Sequence, residues 1–305
     1  MGHNGLIGSA LLRTFRKLGF LNLITIERKE LELTEYSHVN NFLKSKKPEI
    51  VIIAAGKVGG IIENRDFPVD FLYENLNLEL SVFKACVDNN VKKVIFFGSS
   101  CMYPKITNQP MKEHQLFSSP MEETSMAYSI SKHVGMQLAN AFNSQYGSTN
   151  FITLIPNSAY GPFDNFDPKS SHVLSSLIYK FHLAKQNNID IVELWGSGKP
   201  MREFIHSEDI ASACIKILEY DSLPFESPIN IGVGYDISIR DLAKMISSMV
   251  GYGGEIYWDK SKPDGTSRKL LDNSKIESLG WRPKYNLEQG IHHTYNWYKN
   301  YYKNY

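Results

Sequence analysis

The first eight residues, MGHNGLIG, set Gly2, Gly5 and Gly8 three apart at the head of an amphipathic run. Glycines at that spacing permit a tight turn, a close approach of backbone amides to a pyrophosphate, and packing of the following helix against a sheet. The spacing is a relative of the dinucleotide fingerprint, and a turn of that kind normally follows a β-strand. Taken alone, three glycines before a helix also describe a plain turn, so the rest of the chain has to decide. In this topology the first strand lies in the middle of the sheet, and without it the neighbouring strands lose ladder partners. The sequence opens at Met1, where that strand should end. The expectation is that about five to seven residues are lost from the start, by truncation or a misassigned start site.

The segments that follow alternate. Leu6 to Leu18 reads as a helix, and Leu21 to Glu27 (LNLITIE) as a short strand after the stop at Gly19. A second helix covers Tyr36 to Ser45, and Glu49 to Gly56 (EIVIIAAG) has the apolar run of a strand buried on both faces. Asn75 to Asn90 is helical, VKKVIFFGSS is another buried strand, Ala127 to Tyr146 is a long helix, and FITLIPN closes the series. This order predicts an α/β fold of Rossmann type, a doubly wound parallel sheet whose first strand is missing, with right-handed crossovers. After Tyr160 a polar, loop-rich stretch interrupts the alternation, and REFIHSEDIASACIKIL and INIGVG return to the sheet. The expected organisation is a dinucleotide-binding domain over 1–160, rejoined by about 203–234. A smaller C-terminal substrate domain is expected over 161–202 and 235–305, with a helix at Ile239 to Val250 and a cleft between the two.

Charge narrows the partners. Thirty-three Lys and Arg balance 32 Asp and Glu, so no global field draws the chain to nucleic acid or an anionic membrane. No apolar run is long enough to span a bilayer, and no charged-then-apolar leader is present. Cys86, Cys101 and Cys214 lack metal-ligand or disulfide spacing, which suits reduced thiols in the cytoplasm. Cys86 and Cys214 sit in apolar helical patterns and read as packing residues. No metal is expected. The tail NWYKNYYKNY reads as a terminal helix with a frayed end.

Tyr128 and Lys132 stand four apart in AYSISKHVG, on one face of the long helix. A phenol with an ordinary pKa of about 10 exchanges protons poorly at neutral pH, and a nearby ammonium is expected to lower it. Ser99, at the end of VIFFGSS, completes the set by hydrogen-bonding a substrate oxygen. A lone YxxxK also describes a surface pair; its place after a strand ending in Gly-Ser-Ser points to a reductase. Glu27-Arg28-Lys29 lies where cofactor type is chosen, and the two basic residues favour NADP(H) over NAD(H).

With these residues in view, the chain resembles the extended short-chain dehydrogenase/reductases, and within them the GDP-L-fucose synthase family. The stretches that carry the resemblance are GHNGLIG, AAGKVGGI, FPVDFLYEN, GSSCMYPK, QPMKE, YSISK, YGPFDNFDP, SHV, WGSGKPMREFIH and KPDGTSRKLLD. It implies an NADP-dependent oxidoreductase and epimerase that turns GDP-4-keto-6-deoxy-D-mannose into GDP-L-fucose by 3,5-epimerisation and 4-reduction, as a homodimer. Ser99, Tyr128 and Lys132 would be the reductase triad; Cys101 and His172 would be the acid and base at C3 and C5, with neither role assigned between them. Gly2, Gly5, Leu6, Ile7 and Gly8, together with Arg28, Lys132, Asn157 and His172, would meet the cofactor. Asn157, Lys180, Trp195 and Arg202 would line the GDP-sugar, with Lys262, Asp264 and Lys269 from KPDGTSRK. The family often has arginine where this chain has Asn4, which removes one contact to a 2′-phosphate, places more weight on Arg28 and leaves NAD(H) open. Two alternatives stand beside this one: epimerase or reductase action on another GDP-4-keto sugar such as a deoxyheptose, and a non-catalytic nucleotide-binding protein.

Overall fold

The computed structural model describes residues 1–147, 150–262 and 264–302. The chain runs through α1 (Leu6–Lys17), α2 (Tyr36–Lys46), β1 (Ile50–Ile53), α3 (Ile61–Asp66), α4 (Pro68–Asp88), β2 (Lys93–Phe97), α5 (Met126–Tyr146), β3 (Asn150–Pro156) and β4 (Ser158–Tyr160). It continues with α6 (Val173–Gln186), β5 (Ile191–Trp195), β6 (Met201–Arg202), β7 (Phe204–His206), α7 (Ser207–Leu218) and β8 (Ile229–Ile231). The last elements are β9 (Ile237–Ser238), α8 (Ile239–Val250), β10 (Glu255–Asp259), β11 (Arg268–Lys269), α9 (Ser274–Ser278) and α10 (Leu287–Tyr302).

The central sheet has the order β1-β2-β3-β8, with every pairing parallel. All of β2 is buried, which is why Val94 to Phe97 is a continuous apolar run instead of an alternating one. Its successive side chains go to opposite faces. Val94 and Phe96 pack with Val39 and Leu43 of α2, Val82 and Phe83 of α4, and Ala139 of α5. Ile95 and Phe97 pack on the other face with Ala10 and Leu11 of α1 and with Ile210, Cys214 and Ile217 of α7. Each such side chain contributes on the order of 1.5–3 kcal/mol by leaving water. Helices on both faces of a parallel sheet make the doubly wound α/β arrangement expected from the alternation. Cys86 and Cys214 are fully buried in these two layers.

A second core gathers discontinuous segments. Phe181 of α6, Leu242 and Ile246 of α8, and Ile291 and Tyr298 of α10 pack together beside the parallel pair β5-β10. Next to it lies a small sheet of order β11-β6-β9, and β4 pairs with β7.

Two expectations need correction. Leu21 to Glu27 forms no strand, and Leu21 is 91% exposed. Its β-rich composition has no ladder to join. Among the described residues the place beside β1 is held by Met1 alone, whose amine donates to the Ile52 carbonyl at 2.8 Å and whose carbonyl accepts from the Ala54 N–H at 3.0 Å. The helix expected from Asn75 begins at Pro68, which occupies its first turn, where proline's missing N–H costs nothing. Ser148, Thr149, Pro263 of KPDGTSRK and residues 303–305 of the aromatic tail lie outside the described residues.

One buried histidine makes the fold sensitive to acid. His206 is 1% exposed and caps α7, its Nδ1 accepting from the Glu208 N–H at 3.2 Å. The neutral ring therefore carries its proton on Nε2, 3.2 Å from His293 Nδ1, with the Tyr285 ring stacked 4.1 Å away. Burial, and then the facing His293, hold its pKa down to about 4 against 6.5. The unfolded chain takes up this proton first, so the stability contributed by neutral His206 is complete above pH ~6.5 and is lost towards pH ~4, by up to about 3 kcal/mol. Melting should drop by several degrees between pH 7 and pH 5, and His206→Asn should flatten that slope. An unchanged slope in the variant would refute the assignment.

Candidate active site

The glycine turn is built to bring backbone close to a ligand. Gly2 has φ +78°, and a Cβ there would lie 2.5 Å from the Ala55 amide nitrogen at the end of β1. A Cβ on Gly8 would lie 1.9 Å from the Gly2 carbonyl oxygen. Gly5 caps α1 without a side chain, so Leu6, Ile7 and their neighbours present the first-turn N–H groups of a 12-residue helix with no capping oxygen. Such a terminus suits a diphosphate. Asn4 Nδ2 and His3 Nε2 are both held by Glu27, at 2.9 and 3.3 Å. Arg28, whose side chain is 86% exposed, makes only a 3.9 Å contact with Glu74 and remains able to turn towards a 2′-phosphate. Gly8→Ala should cost at least tenfold in NADPH affinity by fluorescence titration and about 1–3 kcal/mol in stability, since the helix must move off the turn. Unaltered affinity would show that the turn does not hold the cofactor.

Ser99 ends the sheet just after β2, where its Oγ accepts from the Cys101 N–H at 3.2 Å. It also hydrogen-bonds Tyr128, which α5 presents from above. The phenol is pushed above its ordinary value, first by burial and then by the charge of Cys101, against a lowering hydrogen bond from Ser99. This corrects the expectation that Lys132 lowers it. Lys132 Nζ is 6.0 Å from the Tyr128 ring centroid and donates instead to Glu79 Oε1 at 3.1 Å, in a fully buried ion pair. A protonated phenol is the form that can give a proton away.

Cys101 lies one turn after Ser99, its carbonyl held by Ser129 Oγ of α5 at 2.8 Å. Burial alone would push its thiol up. The Lys269 ammonium, with hydrogen bonds from Ser99, Lys269 and Ser125, brings it below its ordinary value. Lys269 Nζ is 3.7 Å from Sγ. His172 is exposed at the N-cap of α6, and its loop reaches the turn after β1 through the Gly60 N–H, which donates to the Ser170 carbonyl at 3.0 Å. Asp164, half-buried and tied to Ser175 Oγ, is electrostatically linked to His172.

The remaining site residues divide by what they touch. Arg202 pairs in register with Lys269 across β6 and β11, and burial pulls its guanidinium below the ordinary arginine value. Lys262 Nζ lies 5.6 Å from the Trp195 ring centroid, and Asp264 accepts from the N–H and Oγ of Ser197 at 2.8 and 2.6 Å. These contacts bring the WGSG and KPDG loops together. Lys180 donates to the Glu193 carbonyl at 3.1 Å, and burial lowers its pKa. Arg268 is engaged by Asp236 at 2.5 Å. Asn157 is 3% exposed, and its amide hydrogen-bonds Glu203, the Lys269 carbonyl and the Ser158 N–H.

Three participants were missed from sequence: Glu79, Ser125 and Glu203. Glu79 sits on α4 four residues after Asn75 amid apolar neighbours, the signal by which a buried carboxylate in need of a partner can be found. Glu203 is fully buried and accepts from the N–H groups of Val233, Gly234 and Leu271 and from Asn157 Nδ2.

Comparison with known proteins agrees with this geometry. Residues 1–232 match the model of the NAD dependent epimerase/dehydratase family. Over 97% of its length the chain is 44% identical to GDP-L-fucose synthase 1 of Arabidopsis thaliana, covering 91% of that protein. It is 42% identical to GDP-L-fucose synthase of Escherichia coli (strain K12), covering 97% of this chain and 94% of the relative. A GDP-mannoheptose C4 reductase from Campylobacter jejuni, solved with NADP bound, superposes with a TM-score of 0.89 at 40% identity, covering 98% of this chain and 96% of the other.

Proposed function

The chain belongs to the NAD dependent epimerase/dehydratase family, and from that premise we propose that it converts GDP-4-keto-6-deoxy-D-mannose into GDP-L-fucose by 3,5-epimerisation and NADPH-dependent 4-reduction. The observation that carries this reading is identity above 40% to GDP-L-fucose synthases over nearly the whole chain. The meeting of Ser99, Cys101, Tyr128 and Lys269 in one cleft is consistent with it.

In the first half of the reaction Cys101 and His172 remove and return protons at C3 and C5 of the sugar. Those protons are acidic because the resulting enolate spreads charge onto the C4 oxygen, and Ser99 and Tyr128 hydrogen-bond that oxygen. The cofactor is NADP(H), which when bound supplies hydride to C4. Tyr128 then gives its proton to the C4 oxygen, with Lys132 and Glu79 beneath it. Arg202 and Lys262 neutralise the diphosphate, and Trp195 and Asp264 shape that end of the cleft. Gly2, Gly5, Gly8 and Arg28 hold the cofactor.

We keep the domain division expected from sequence, 1–160 with 203–234 against 161–202 with 235–305, under which Cys101 comes from one domain and Lys269, 3.7 Å away, from the other. We read the protein as a cytoplasmic homodimer paired through α5, the helix that carries Tyr128 and Lys132. An apolar trough of about 440 Å³ on α5, lined by Ile130, Val134, Leu138 and Phe117, supports that pairing. No helix among the described residues is long and apolar enough to cross a membrane.

NADPH oxidation with GDP-4-keto-6-deoxy-D-mannose, followed by NMR of the sugar, tests the reading. GDP-L-fucose is the expected product. A second reading, action on a GDP-keto-heptose, draws on the Campylobacter jejuni reductase. Turnover of the heptose alone would replace the first.

A further inference from the structure

We propose that Lys269 is the positioning residue that holds its ammonium against Cys101 Sγ and so favours the thiolate form of that side chain. The proposal rests on the reading of Cys101 as a proton-transfer residue, but its central test does not. The geometry comes from three sources. The Lys269 ammonium lies 3.7 Å from Sγ, and Sγ is the one hydrogen-bond partner it has among the described residues. Its backbone is fixed: the Lys269 carbonyl accepts from Asn157 Nδ2 and from the Glu203 N–H, both at 3.3 Å, and β11 is in register with β6. The reach of the side chain is therefore set from the floor of the cleft.

The groups facing Cys101 come from several elements. Lys269 approaches from β11, Arg202 from β6 and the neutral phenol of Tyr128 from α5, with the hydroxyls of Ser99 and Ser125 beside the sulfur. Glu79 lies beyond Lys132, whose charge it pairs. Of the two cations, Arg202 spends one nitrogen on the Met201 carbonyl at 2.7 Å, whereas Lys269 directs its ammonium at sulfur. A cation at that distance stabilises the charged form of a desolvated thiol, which would otherwise stay protonated in so closed a site. Lys269 in this role acts through Cys101.

Alkylation of the native protein by iodoacetamide, followed by intact mass against pH, reads this directly. Cys86 and Cys214 are fully buried and burial pushes both up to about 12, so the modified residue in the folded protein is Cys101. K269M should move the midpoint of the alkylation profile up by a unit or more and slow the reaction at pH 7 about tenfold, with the high-pH plateau unchanged. K269R should keep the wild-type midpoint, and K269Q repeats the measurement should K269M fail to fold. A midpoint in K269M or K269Q equal to wild type overturns the proposal, whatever happens to turnover. With GDP-4-keto-6-deoxy-D-mannose in D2O, K269M should exchange the C3 and C5 hydrogens slowly at pH 7 and recover at pH 9. If wild type exchanges none, the substrate reading falls, and the alkylation profile still decides the role of Lys269.

Discussion

Tyr128→Phe is expected to slow NADPH oxidation by about 10²–10⁴-fold at saturating substrate, the contribution typical of a positioned proton donor. Folding should be nearly untouched, because the phenyl ring keeps its edge-to-face contact with Phe71, 6.2 Å between centroids. The size of the loss follows from how Tyr128 is held. Burial keeps the phenol protonated, Ser99 aims it, and Lys132 is occupied by Glu79. The other hydroxyl beside that point, Ser99, is an alcohol and a much weaker acid than a phenol, so the C4 oxygen would have to take its proton from water. Exchange of the C3 and C5 hydrogens should fall far less, since Ser99 still meets the same oxygen. Stopped-flow loss of NADPH absorbance, alongside NMR exchange in D2O, separates the two. Equal losses in both would mean that Tyr128 serves enolate formation as much as reduction.

The second large effect concerns product identity. Cys101→Ala should remove the epimerisation half, again by about 10²–10⁴-fold, and leave a reductase. NADPH would still be consumed, more slowly, and the sugar would keep its original configuration at C3 and C5. The buried Cys86 and Cys214 cannot substitute, being packed in the two sheet layers. GDP-L-fucose formed by Cys101→Ala at the wild-type rate would remove Cys101 from the mechanism. His172→Asn provides the complementary case, and a partly inverted product from either variant would identify which carbon each residue serves.

Much of this architecture can be read from periodicity. The apolar runs of β2 and β3 lack regular polar alternation because both faces are covered, and the helices between the strands bury opposite sides of the sheet. Tyr128 and Lys132 can be found from their four-residue spacing on α5. What stays hidden is pairing across long separations. Nothing near Lys132 in the chain announces Glu79, 53 residues away, yet that carboxylate decides whether the ammonium acts on the phenol. The same holds for Lys269 and Cys101, 168 residues apart. Leu21 to Glu27 misleads in the opposite direction: β propensity describes fitness for a ladder, and among the described residues the segment pairs with none. The internal bonds of the Asn157 amide, to Glu203 and the Lys269 carbonyl, are likewise pairings across long separations.

Glu203 gathers the ends of three separate stretches: the residue after β3 through Asn157, the turn after β8 through Val233 and Gly234, and the second residue after β11 through Leu271. Asn157 in turn grips the carbonyl of Lys269. The ammonium beside Cys101 is thereby indexed to the carboxyl ends of the central strands, the same edge from which Ser99 emerges. Proton traffic and hydride traffic then share one coordinate frame. On the proposed reading, a ketone intermediate would then pass from one chemistry to the other without leaving or being re-aligned.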